Sequence, residues 1–159
     1  MSENLSPSLV LGTVAEIQRE TDGLQVRLQR LDHPEGVLTD WLRVASPMAG
    51  NGYGFCFVPE AGDLAVAAFQ GVRPIVLGFI YGGGSATAST DPVERVISSV
   101  DGNALVLVDG QNSGITLRDK HGNQIVMDSS GISITTDKDL NISAGGTTTV
   151  QGTTVELNP

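Results

Sequence analysis

The chain has 159 residues, 40% hydrophobic and 4% aromatic, with 20 glycines and a formal net charge of −9, which is enough for one ordinary domain or two small ones. Its apolar content excludes a disordered acidic tail, its longest apolar runs stop far short of the ~20 residues that cross a bilayer as a helix, and its acidity works against binding nucleic-acid phosphates or anionic lipids. A single cysteine, Cys56, excludes an intrachain disulfide framework, and His33 and His121 lie too far apart in sequence to form a local ligand cluster with it, so no metal and no other cofactor is expected.

The first residues, MSENLSPSLV, carry neither a basic start nor a long apolar run before a small-residue cleavage site. No signal peptide is therefore expected, and assembly is placed in the cytoplasm. A first strand is predicted over residues 9–19. Thr21-Asp22-Gly23 then turns the chain into Leu24, Val26 and Leu28, which alternate with Gln25, Arg27 and Gln29 at the period of two that half-buries a strand. Residues 38–45 form the third predicted strand, and residues 47–54, rich in Gly and Pro, read as an irregular excursion after it. Pro59-Glu60-Ala61-Gly62-Asp63 turns the chain into strands over 64–70 and 74–80. Leu24, Val26, Leu28 and Trp41 are the candidate core of this half, and Gly62 and Asp63 its candidate turn. No stretch shows a capped 3.6-residue apolar period, so helix should be scarce, and five strands this close together suggest a small closed barrel.

All seven aromatic residues lie between Trp41 and Tyr81, and none follows. The small, polar run from Gly82 to Thr90 has the composition of a linker. The expected organisation is a barrel over residues 1–81, a linker leading into the second part over 82–100, and a different domain over 101–159. In that domain apolar doublets recur with polar turns between them: Leu105/Leu107, Ile115/Leu117, Ile125/Met127, Ile132/Ile134, Leu140/Ile142 and Val155/Leu157. Each doublet is one face of a three- to five-residue strand, and the last gap leaves room for a weak strand over 147–150. No proline occurs from Val93 to Asn158, so every backbone N–H there is free to join a ladder.

Such a short strand, with two apolar side chains, cannot build a core alone, and a meander of them exposes one apolar stripe. With no aromatic residue or long loop to cover the stripe, other copies of the chain must do so, and the compact solution is closed symmetry about an axis. Three chains would give a triangular prism with the doublets facing the axis. Seven strands at ~4.8 Å each would make a needle about 30 Å long.

Over nearly its whole length the chain resembles phage baseplate assembly protein V and the related spike proteins of contractile injection systems. Gly12-Thr13-Val14, the hairpin into residues 24–28, Trp41-Leu42-Arg43-Val44, Pro59-Glu60-Ala61-Gly62-Asp63 and Val76-Leu77-Gly78-Phe79-Ile80-Tyr81 look like the family's oligonucleotide/oligosaccharide-binding (OB) barrel. Residues 122–132 and Gly145-Gly146-Thr147 look like its trimeric β-helical needle. The resemblance implies an all-β homotrimer docked on a baseplate hub protein in a phage virion or an extracellular tail-like particle. It also implies that sheath contraction drives this spike through the target cell membrane. Some members end in a His-x-His pair that binds iron, whereas Val155-Glu156-Leu157-Asn158-Pro159 lacks it. A separate tip protein with a proline-alanine-alanine-arginine (PAAR) motif is therefore expected to finish the needle, and the hub and lysozyme functions of some relatives are expected in other chains.

Other readings of the residues are weaker. No nucleophile and base stand at a readable spacing, so no enzyme activity is expected. Cys56, between Phe55 and Phe57, reads as a buried small hydrophobe. Asp137-x-Asp139-x-Asn141 starts like a calcium loop but has Ile142 and Thr148 where such a loop needs Gly and Glu. Gly50-Asn51-Gly52-Tyr53-Gly54 lacks the lysine and helix of a phosphate cradle. Two rival functions are an OB module for nucleic acid or carbohydrate and a trimeric receptor-binding fibre. Against the first, the barrel half carries five arginines and no lysine beside nine acidic residues.

Overall fold

A computed structural model describes residues 8–20, 23–69, 74–82 and 86–156. The chain is all-β, with no helix among these residues, and divides into two compact units, Met1–Thr87 and Ala88–Pro159.

In the first unit, β1 (Ser8–Glu20), β2 (Gly23–Arg30), β3 (Leu42–Val44), β6 (Leu64–Phe69) and β7 (Ile75–Ile80) close into a barrel in the order β1-β2-β3-β7-β6. The two-residue strands β4 (Ala49–Gly50) and β5 (Tyr53–Gly54) form a separate ribbon, so the expected irregular excursion is a small hairpin. β3 and β7 are parallel and the other barrel neighbours antiparallel, the connectivity of an OB fold. One long strand, β1, closes the barrel by pairing with β6 through its first half and β2 through its second. Gly12 lies where the two pairings overlap, and a Cβ there would sit 2.9 Å from the Gln29 carbonyl oxygen, so close approach of the chains requires glycine.

Alternation decides the core. Val14, Val26, Leu28, Leu42, Ala65, Ala67 and Val76 are buried together, with Ile17, Val44 and Phe69 packed against them. Small alanines on β6 fit a barrel too narrow for large side chains from every strand. Of the expected core residues, Val26 and Leu28 are fully buried and Leu24 is half-buried. Trp41 requires correction: it is 38% exposed, because β3 turns Leu42 inward and leaves residues 41 and 43 outside. The Arg27 guanidinium stacks on its ring, 5.9 Å from the centroid. The third strand is also shorter than expected. Thr39 accepts the Leu28 N–H through its hydroxyl at 2.9 Å, so a side chain replaces a ladder rung and regular pairing resumes only at Leu42.

At the expected turn, Gly62 adopts φ +96°, and its N–H donates to the Val14 carbonyl at 2.8 Å while the Val14 N–H donates to the Asp63 carbonyl at 2.9 Å. The Asp63 carboxylate accepts the Glu60 N–H at 2.9 Å. This turn thus pins the chain beside the register shift of β1 between Val14 and Glu16.

The second unit is an antiparallel meander of β8 (Glu94–Ser98), β9 (Ala104–Val108), β10 (Gly114–Arg118), β11 (Gln124–Asp128) and β12 (Gly131–Thr135). The first four apolar doublets all fall on strands. β8 lies within residues expected to be linker, because its outward face holds one apolar residue, Ile97, beside Arg95 instead of a doublet. Leu140, Ile142 and Val155 are in no strand, nor are residues 147–150, and Leu157 lies outside the described residues. The five-stranded ladder spans about 20 Å at ~4.8 Å per strand, short of the 30 Å expected from seven strands.

Candidate functional site

Register turns the doublets into a surface. Across the meander, Ile97 pairs with Leu105, Leu105 with Leu117, Leu117 with Ile125, and Ile125 with Ile134. In the parallel row, Arg95 pairs with Leu107, then come Ile115, Met127 and Ile132. Two rows across five strands therefore place nine apolar side chains and one arginine on a single face.

Within one chain this face is uncovered. Exposure is 39% at Leu107 and 53% at Leu117, and is highest on β12, with 57% at Ile134 and 73% at Ile132. The opposite face carries Val96, Val106, Thr116, Val126 and Ser133, and there Ala104 and Val106 are buried. A contiguous apolar face of this size on a single chain marks an interaction surface.

Repeated turns hold the register. Ser99-x-x-Gly102-Asn103 joins β8 to β9, and Asp119-x-x-Gly122-Asn123 joins β10 to β11, each glycine with φ of +90°. Ser99 Oγ accepts the Asn103 N–H at 3.1 Å, and Asp119 Oδ1 accepts the Asn123 N–H at 3.0 Å. Each asparagine then reaches the next layer: Asn103 Oδ1 accepts from the Lys120 N–H at 3.2 Å and Asn123 Oδ1 from the Thr136 hydroxyl at 2.6 Å. The sequence reading missed this spine. Its signal is a Ser/Asp-x-x-Gly-Asn pattern repeated after twenty residues.

The turn carboxylates titrate accordingly. Hydrogen bonds from the Asn123 side chain, then from the His121 and Asn123 backbone N–H groups, hold Asp119 below its ordinary value. The Ser130 side chain, followed by the Ser130 backbone N–H, does the same for Asp128.

Beyond β12 the chain changes character. Residues 137–156 enter no ladder of their own chain among the described residues, and Leu140 and Ile142 are 56% and 74% exposed. The Lys138 N–H donates to the Thr136 hydroxyl oxygen at 3.1 Å, but from residue 139 onward the backbone donors and acceptors of this strand-compatible, proline-free segment have no ladder partner in their own chain among the described residues. Of the expected interface residues, the structure brings Leu105, Leu107, Ile115, Leu117, Ile125, Met127, Ile132 and Ile134 together. Leu140, Ile142 and Val155 are exposed and lie in no strand. The sequence reading missed Ile97, the face's ninth apolar member.

Elsewhere, Cys56 corrects the expectation of burial: it is exposed, as are Phe55 and Phe57, because the segment after β5 leaves the barrel wall instead of adding a strand to it. Among the described residues no three His, Cys, Asp or Glu side chains form a metal-holding group, and no helix is long and apolar enough to cross a membrane.

Comparison with protein families agrees with this division. Residues 10–81 match the model of the type VI secretion system/phage-baseplate injector OB domain, and residues 94–159 match that of the phage baseplate V C-terminal trimerisation domain. A comparison with curated proteins finds no match.

Proposed function

The chain belongs to the phage baseplate assembly protein V and spike family, and from that premise we propose that it is the central, membrane-puncturing spike of a contractile tail or tail-like particle. The family match supports a structural baseplate role with a homotrimerising C-terminal domain. The finer reading is carried by one observation: nine apolar side chains aligned on one uncovered sheet face, within a domain of trimerising type.

Three such faces meet on a common axis, with Leu105, Leu107, Ile115, Leu117, Ile125, Met127, Ile132 and Ile134 inside. This removes them from water, which one chain cannot do. The backbone of residues 139–156, with Leu140, Ile142 and Val155, finds its ladder partners in the two sister chains. Such a needle gains hydrogen bonds and interchain burial at every layer, so it resists bending and unfolding as a single body. The barrel attaches to the baseplate hub, a PAAR-type tip protein caps the needle, and sheath contraction drives the assembly through the target membrane. Assembly takes place in the bacterial cytoplasm, before release of the particle. The role is mechanical and needs no catalytic residue.

Cryo-electron microscopy of the assembled particle tests the proposal. Threefold density for this chain on the particle axis, below the hub, is the expected result. Density off the axis, or single copies around the rim, would overturn it.

A further inference from the structure

The barrel unit carries a second uncovered apolar feature, a groove of about 700 Å³ between the β4–β5 ribbon and the barrel wall. Met48, Tyr53, Phe55, Phe57 and Phe79 line it, each at least 41% exposed. The ribbon is fixed in place: the Phe55 N–H donates to the Met48 carbonyl at 2.9 Å, and the Ser46 hydroxyl lies 2.7 Å from the Phe55 carbonyl and 2.9 Å from that of Met48. Tyr53 lies so close over Gly50 that any Cβ there would enter its ring. The groove is thus pre-formed.

Among the described residues Arg43 is the only charged side chain lining it. Among the described residues Arg43 makes no ion pair and no hydrogen bond. An unpaired guanidinium at the side of an apolar slot is matched by a carboxylate flanked by large apolar groups.

We propose that this groove is the docking site for an extended segment of another baseplate protein in which an acidic residue stands between large apolar side chains, the carboxylate meeting Arg43. This deepens the proposed function, on which it rests, by giving the chemistry of the barrel's partner. The apolar side chains occupy the aromatic slot, and the guanidinium selects for the charge.

Cys56, the single cysteine, lines the same groove and reports its occupancy without a mutation. The full-length chain is alkylated with iodoacetamide alone, with acetyl-Gly-Phe-Asp-Leu-Gly-amide, and with the same peptide bearing Asn in place of Asp. The Asp peptide is expected to slow Cys56 alkylation in a saturable way, with the Asn peptide about tenfold weaker. Arg43→Gln should abolish that difference, each rate being referred to that of the same variant without peptide. Equal protection by both peptides, or protection by neither, would overturn the proposal. So would a Cys56 already shielded in the peptide-free trimer, since a sister copy would then fill the groove. The native mass of the same samples is read in parallel. A monomer that retained Asp-selective protection would remove the spike reading while leaving the groove's specificity standing.

Discussion

Replacing Ile134 with Asp places a carboxylate on the apolar face, opposite Ile125 and on β12, the edge strand of the sheet. Ile134 is 57% exposed in the single chain, so burying its remaining area in a trimer contributes about 1–1.5 kcal/mol per chain, or about 3–5 kcal/mol for three copies. The variant loses this and also confines three carboxylates near one apolar axis, each costing several kcal/mol if ionised and unpaired. Together the loss exceeds about 10 kcal/mol, so a trimer held at micromolar concentration should dissociate. Ser133→Asp adds the same charge one residue away on the opposite face and should leave the trimer intact. Mass photometry reads both variants, and circular dichroism confirms that the barrel persists. A stable Ile134→Asp trimer, or equal disruption by Ser133→Asp, would refute the assignment of this face to the interface.

Leu28→Ala should destabilise the barrel by about 2–5 kcal/mol, since Leu28 is fully buried, with a lower first melting transition and an unchanged trimer mass. Thr39→Val should cost about 1–3 kcal/mol by leaving the buried Leu28 N–H without its 2.9 Å acceptor, read by chemical denaturation of the barrel. The turn carboxylates set an acid limit. Asp119 and Asp128 titrate below their ordinary value of 3.8 when folded, so their contribution is complete above that value and is lost as pH falls through the folded one. The trimer's melting temperature should therefore hold from neutrality to about pH 5 and fall below about pH 4, and the Asp119→Ala, Asp128→Ala double variant should flatten that fall. A decline centred near pH 6 would contradict the assignment to these carboxylates.

Much of this architecture was legible because period-two alternation is a direct consequence of strand geometry. Val26 and Leu28 on β2 and the four doublets from Leu105 to Ile134 lie where alternation puts them, and the change from aromatic-rich to aromatic-free sequence coincides with the change from barrel to meander. The errors came where tertiary context overrode local pattern. Trp41 was expected inside because a lone tryptophan near a strand usually is, but the phase of β3 turns in Leu42. Cys56 was expected inside because two phenylalanines flank it, yet all three side chains are exposed. β8 escaped notice because one side of its outward pair is Arg95, and the stacked asparagines because turn residues were read only as breakers.

The doublet at Leu140/Ile142 shows a different limit. Its alternation is as clear as that of β12, but a strand needs a neighbour, and none of its own chain pairs with it among the described residues. Sequence registers the propensity for extension; where the ladder partner sits depends on how many chains assemble. The groove beside Arg43 was illegible for a related reason. Residues 43, 53–57 and 79 meet only after β7 has closed the barrel next to the ribbon.

The most direct test of trimerisation through the meander's apolar face is the native mass of the purified full-length chain at submicromolar concentration. The expected result is a single species at three times the 16.6 kDa chain mass, persisting on dilution. A monomer with residues 94–135 folded and their apolar face still open to water would contradict it.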